Sequence, residues 1–249
     1  MLGWALDLDG VLWLADQPIP GAAGAVARLR ARGHEVLFVT NNSSVPVADV
    51  EAKLGRFGIP AEGSVVTSAQ AAAQLVAPGE VALLCAGAGV EEELLRRGAS
   101  VVREGDADVV VVGYHREFDY ERMTVAATAV RRGARLLATN DDATYPTPGG
   151  PIPGGGAILA SIATASGVKP TIAGKPHKAM VDLVRQRLGR NGVMVGDRPD
   201  TDGRFARALG FRFALVLSGV TRESDLPVEP KPDVVSADLA SAVDALVAR

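Results

Sequence analysis

One cysteine in 249 residues, Cys85, leaves no partner for an internal disulfide. It sits inside the apolar string VALLCAGAG, so it reads as a small core residue rather than a nucleophile. Basic charge is not in excess: 26 Lys and Arg face 29 Asp and Glu, a formal charge of −3. A nucleic-acid surface would normally show a basic stripe, so any anion this chain binds must meet positive charge that is local. Long apolar runs are missing too. The longest nearly uncharged stretch, Val81 to Val90, falls far short of the roughly 20 residues that span a bilayer. The opening MLGWALDLDG shows neither basic region nor cleavage site, and the expectation is a cytoplasmic protein with no membrane partner. With 47% hydrophobic and 22% charged residues, the rest is the composition of a soluble globular chain of one large or two smaller domains.

Apolar runs of strand length alternate with segments of helical period closed by Gly, the pattern of a parallel α/β sheet. Leu2 to Leu6 reads as a strand covered on both faces. Ala22, Ala25, Val26 and Leu29 then recur at helical spacing before Gly33. Glu35 to Val39, Ser64 to Thr67, Asp108 to Val112, Ala134 to Ala138, Gly192 to Val195 and Arg212 to Leu217 are further strands. Pro46 opens one helix, another begins near Asp119, Pro176 starts a third, and Ser236 caps the last. The Gly/Pro-dense stretches, Pro146 to Gly156 and Pro227 to Pro232, are too short for flexible linkers. Gly87-Ala88-Gly89 has Glu92 where a dinucleotide loop needs its third glycine, so it reads as a strand-to-helix turn.

Four strings could carry chemistry. LGWALDLDGVLW ends a strand with Asp7 and Asp9, followed by Gly10, at the edge where open α/β sheets bind ligands. Carboxylates at i and i+2 project to one side, and their repulsion is relieved by a shared cation or proton, although Asp and Gly also make an ordinary polar turn. VLFVTNNSS presents Thr40, Asn41 and Asn42 as neutral donors suited to phosphate oxygens, and equally as loop and cap residues. In TIAGKPHKAMVDLV, Lys175 precedes a helix whose positive terminus would gather anions. This is no Walker A loop, because Lys169 and Pro176 stand where Gly and Ser or Thr are required. GVMVGDRPDTDG ends a strand with Asp197, Asp200 and Asp202, an oxygen-only set that favours Mg²⁺ over a soft metal unless it is a solvated loop.

In this order, Asp-x-Asp, Thr, Lys and Gly-Asp-x₄-Asp resemble the haloacid-dehalogenase-like hydrolase superfamily. Pro18-Ile-Pro-Gly21, Thr40-Asn-Asn-Ser43, Thr139-Asn-Asp-Asp142 with Tyr145-Pro146, Gly174-Lys-Pro176 and Gly196-Asp-Arg-Pro-Asp-Thr-Asp202 extend the resemblance over nearly the whole chain. They are similar to the capped branch of 4-nitrophenylphosphatase-like, NagD-like and phosphoglycolate phosphatases.

The resemblance implies a Rossmann-like parallel-sheet core with helices on both faces, residues 1–79 and 170–249. A smaller α/β cap, residues 80–169, would be inserted between the second and third motifs. It implies a Mg²⁺-dependent phosphatase for small phosphorylated metabolites in which Asp7 attacks phosphorus and Asp9 is acid and then base. Asp7, the Asp9 carbonyl and Asp197 would hold the metal, with Asp202 in the outer shell. Gly10, Thr40, Asn41, Asn42 and Lys175 would bind the phosphoryl group, while Asn140 and Asp142 on the cap would lie near the leaving group beside the Gly154-Gly155-Gly156 turn. Self-association through the cap is also implied. His115 and His177 depart from the usual strings and read as surface or helix-start residues; His34 reads as structural. Two alternatives stand beside the enzyme: a phospho-aspartate signalling module like a receiver, and an inactive phosphometabolite-binding protein.

Overall fold

The structure, a computed structural model, describes residues 2–145, 147 and 149–247. Pro146, part of the Tyr145-Pro146 string, lies outside the described residues. The chain divides into two compact units. Residues 1–40, 48–66 and 175–249 form the first, and residues 41–47 and 67–174 form the second. These limits differ from the 79/80 and 169/170 boundaries expected from sequence. The short helix Ser68–Ala73 packs on helix Ala88–Arg96, and strand Thr171–Ile172 pairs with Arg135–Ala138, so both segments go with the second unit.

The first unit is built on a six-stranded sheet in the order Val234–Ser236, Arg212–Val216, Gly192–Gly196, Gly3–Leu6, Glu35–Thr40, Val65–Thr67. Gly3–Leu6 pairs in parallel on both sides, with Trp4 opposite Val193 and Val36. Every residue of that strand is buried, which explains its unbroken apolar run. The sheet grows in both directions from this strand, to Glu35–Thr40 on one side and through Gly192–Gly196 to Arg212–Val216 on the other. Right-handed crossovers therefore put helix Ala22–Ala31 on one face and helix Arg204–Leu209 on the other. Trp4, Phe38, Phe205, Phe213, Leu29 and Leu54 fill the two layers between sheet and helices.

The second unit repeats the plan with a five-stranded parallel sheet, Thr171–Ile172, Arg135–Ala138, Val109–Val112, Val81–Cys85, Ser100–Val102. Helices Tyr120–Arg131 and Gly155–Ser166 pack together, and Leu83, Val110, Val112, Leu136, Ile158 and Ile162 form the core beneath them. Asp119 caps the first of these helices, its carboxylate accepting from the Arg122 N–H at 2.8 Å. Cys85 belongs to this core, and burial pushes its thiol up to about 12, as a packing role requires.

Three helix starts differ from the sequence reading. The helix after Lys175 begins at Lys178, with His177 rather than Pro176 at its threshold. Asp238, not Ser236, caps the last helix, its carboxylate accepting from Ser241 N–H at 2.8 Å, because Ser236 is still paired in the sheet. Gly155 and Gly156 are the first turn of a helix rather than a turn between elements. Gly156 has no room for a Cβ against the Asp141 and Asp142 carbonyls, so here glycine serves close approach instead of chain reversal. Among the described residues no helix is long and apolar enough to cross a membrane.

Candidate active site

Parallel strands deliver their carboxyl ends to one edge of the first sheet, and the polar residues of the motifs gather there. Asp7 follows Gly3–Leu6 and is tied to the neighbouring strand by its N–H, which donates to the Val195 carbonyl at 2.9 Å. Asp197 follows Gly192–Gly196. Asp202 returns to the same place because Pro199–Gly203 forms a π-helical turn, its N–H donating to the Arg198 carbonyl at 2.7 Å. Thr40 ends its strand buried in the same unit.

Lys175 closes the group. Its Nζ donates to Asp7 Oδ1 at 2.6 Å and to Asp202 Oδ1 at 2.7 Å, and the residue is only 2% exposed. The other Asp202 oxygen accepts the Arg198 N–H at 3.1 Å. Asp197 Oδ2 accepts the Val220 N–H at 2.6 Å, and its carbonyl accepts the Thr221 hydroxyl at 2.6 Å. Asp7, Asp197 and Asp202 each bring one carboxylate oxygen to a common point, all within 4.8 Å of one another. Asp200 stays out of this group, exposed and paired with Arg198 at 3.4 Å.

Charge is the dominant fact here. Three buried carboxyl groups face one buried ammonium, a formal excess of two negative charges when all three are ionised. Burial, with added repulsion from Asp202, raises the Asp197 carboxyl to about 7. Burial raises Asp7 too, the Lys175 ammonium pulling against it and the Asp202 and Asp197 charges adding to it. Burial alone would lower Lys175, but Asp202 and Asp7 outweigh it and hold the ammonium charged. Asp9 is raised chiefly by burial, against the Trp13 hydrogen bond and the charges of Lys53 and Lys175.

Glycines make the close packing of these carboxylates workable. Gly10 has φ +79, and a Cβ there would run into the Asp197 carboxylate and into Gly219, whose Cα would lie 2.9 Å away. Its N–H donates to the Trp13 carbonyl at 2.7 Å, which closes the loop after Asp9. Gly219 and Gly196 likewise leave no space for a Cβ, against Asp197 and Asp202 respectively. Gly196→Ala is expected to push Asp202 away from Lys175 and to cost about 1–3 kcal/mol through overpacking. A denaturant midpoint no lower than that of the parent would contradict this.

Asn41, Asn42, Asn140 and Asp142 belong to the second unit. Asn41 Nδ2 donates to Asp142 Oδ2 at 3.0 Å, and the Asn41 carbonyl accepts from Ser68 Oγ and Asn140 Nδ2 at 2.6 and 2.8 Å. Asn42 Oδ1 accepts from the Ser44 N–H and hydroxyl at 3.0 and 2.7 Å. Nearby, Tyr114 and Tyr145 stack with centroids 4.9 Å apart. His115 sits 3.7 Å from Cys85 Sγ and edge-on to Phe118, and His34 Nδ1 accepts the Leu2 N–H at 3.3 Å, both packing roles. Sequence reasoning did not find the loop Ser218 to Thr221, whose donors hold Gly10 and Asp197; Gly219 was its one signal.

Comparison with known proteins agrees with this geometry. A family model for haloacid dehalogenase-like hydrolases matches residues 4–100, and a HAD-hydrolase-like model matches residues 172–242. The D-glycerol 3-phosphate phosphatase of Mycobacterium tuberculosis is 38% identical over 247 residues, covering 95% of this chain and 69% of that protein. A solved glycerol phosphate phosphatase from Mycobacterium tuberculosis in complex with magnesium superposes with TM-score 0.89 at 36% identity, over 96% of this chain and 75% of that one. The p-nitrophenyl phosphatase from Archaeoglobus fulgidus superposes with TM-score 0.91 at 33% identity, over 98% of each. The acidic edge, the lysine that bridges it and these likenesses lead to one conclusion: the chain belongs to the haloacid dehalogenase-like hydrolases, in their capped phosphatase branch.

Proposed function

We propose that this hydrolase is a Mg²⁺-dependent phosphatase that cleaves small phosphate monoesters by way of a phosphoryl group carried on Asp7. The observation that carries the reading is the convergence of Asp7, Asp197 and Asp202 on one point beside a buried lysine. The donor set suits magnesium: all oxygen, all carboxylate, with an excess charge that one dication neutralises. Asp7 and Asp197 would hold it together with the Asp9 carbonyl, and Asp202, whose oxygens already accept from Lys175 and Arg198, would orient from outside. When bound there, the ion neutralises charge spreading over the phosphoryl oxygens.

The protein's own groups do the rest. An Asp7 oxygen forms a bond to phosphorus as the ester P–O bond breaks, and the Asp9 proton passes to the departing alkoxide. Asp9, now a carboxylate, takes a proton from water as that water attacks phosphorus; the Asp7–phosphoryl bond breaks and inorganic phosphate leaves. Burial raises the Asp9 carboxyl, the direction an acid needs. Lys175 and Thr40 bind phosphoryl oxygens, and Lys175 keeps Asp7 in line through its 2.6 Å bond. The second unit acts as the substrate-selecting cap, with Asn140 and Asp142 choosing the leaving group. A cytoplasmic location and self-association through the cap complete the proposal, and sedimentation as a monomer at micromolar concentration would contradict the last part.

Phosphate release across glycerol phosphate, phosphoglycolate, sugar phosphates and nucleoside monophosphates tests the reading. Magnesium-dependent hydrolysis of at least one, lost in EDTA, is expected. Full activity in EDTA, or none on any ester, would refute it.

A further inference from the structure

Nothing in phosphoryl transfer calls for an indole, yet Trp13 is built against the acid. It is 4% exposed, with Phe57 on one side at 5.9 Å between ring centroids and the Lys53 ammonium 4.6 Å from its ring centre. Its Nε1–H donates to Asp9 Oδ1 at 2.9 Å. A tight loop sets this up: the Leu12 and Trp13 N–H groups donate to the Leu8 carbonyl at 2.8 and 3.3 Å, and the Gly10 N–H donates back to Trp13. The strand Trp13–Leu14 then pairs antiparallel with Gln17–Pro18. Lys53 pins the tip of that hairpin, donating to the Ala15 carbonyl at 2.7 Å and to Asp16 at 3.2 Å. Ring and hairpin are held from one helix, Val47–Arg56.

From these contacts we infer that Trp13 is a positioning residue for Asp9: its N–H occupies Oδ1, fixes the rotation of the carboxyl group and leaves Oδ2 to carry the transferable proton. The inference rests on the proposed acid–base role of Asp9. An indole suits the task because its N–H donates but does not ionise, so it orients the carboxyl group without becoming a proton source. Its hydrogen bond favours the ionised carboxylate too, but without the full positive charge that a lysine or arginine at the same distance would add. In the first chemical step, the bond from Asp7 to phosphorus forms, the ester P–O bond breaks and the Oδ2 proton moves to the leaving oxygen. An alkoxide needs that proton; 4-nitrophenolate leaves without it.

Trp13→Phe keeps an aromatic ring near Lys53 and Phe57 and removes the donor together with part of the side-chain volume. Its kcat on glycerol 3-phosphate is expected to fall about 10- to 100-fold, the scale of a misplaced general acid. KM should stay within about threefold, as for an interaction made in the transition state. The first turnover of 4-nitrophenyl phosphate, read as a nitrophenolate burst, should slow by less than about threefold, since departure of that group needs no proton. Benzothienylalanine at position 13, which has the shape of tryptophan with sulfur in place of N–H, should reproduce the selective loss in a protein that melts with the parent. Equal losses on both esters, or no loss with the isostere, would overturn the inference. Asp9→Asn separates this from failure of the underlying reading. If it leaves alkyl-ester turnover intact, the acid assignment is wrong; if it abolishes that turnover while both position-13 variants keep it, only the role of Trp13 is wrong.

Discussion

Asp7→Asn is expected to lower turnover of every phosphate ester by about 10⁴-fold or more, the scale seen when a covalent nucleophile is removed. The amide has nearly the shape of the carboxylate, so the sheet edge should hold, and the Asp7 N–H to Val195 carbonyl bond is untouched. Lys175 keeps a partner in Asp202 at 2.7 Å. The effect on stability should run opposite to the effect on activity. Burial and its acidic neighbours raise the Asp7 carboxyl, which means that ionising it costs more in the folded protein without metal than in the unfolded chain. Removing that charge should therefore leave the melting temperature in EDTA at or above that of the parent. A variant that kept parental activity would remove Asp7 from the mechanism; one that melted well below the parent would show that the carboxylate is mainly structural.

Lys175→Met should be damaging in both respects. It leaves the three buried carboxyl groups with no buried cation among the described residues, and breaking a buried ion pair from one side typically costs about 3–5 kcal/mol. The unfolding midpoint in EDTA should fall accordingly, and phosphate turnover should be lost with the charge that binds the phosphoryl group. Magnesium should restore part of the stability, because a ligand that binds only the folded state adds about 2.7 kcal/mol at one hundred times its dissociation constant. If the midpoint in EDTA were unchanged, the acidic residues would not be charged as a group, and the electrostatic account would fail.

Much of this was readable in the chain, for physical reasons that differ between elements. The strand Gly3–Leu6 announces itself because a central parallel strand is covered on both faces and must be apolar throughout. The acidic residues after it and after Gly196 stand out because carboxylates beside such strands have few structural uses. Short elements were not readable. The hairpin Trp13–Leu14 with Gln17–Pro18 and the strand Thr171–Ile172 are two residues deep, too short for any periodicity. The limits of the second unit differ from the expected cap for a related reason: helix Ser68–Ala73 is too short to show a period, and its packing partner lies twenty residues on. The resemblance places Gly10 at the phosphoryl group, and sequence cannot show that its N–H donates to the Trp13 carbonyl. Nothing in the sequence singles out Trp13, and only the geometry brings its N–H to Asp9.

Mass spectrometry of the enzyme quenched in acid during turnover of 4-nitrophenyl phosphate examines the nucleophile itself. The account requires one phosphoryl group on the peptide that contains Asp7, formed with magnesium and absent with EDTA or in Asp7→Asn. Steady release of nitrophenolate with no labelled peptide, or with the label on another residue, would contradict it.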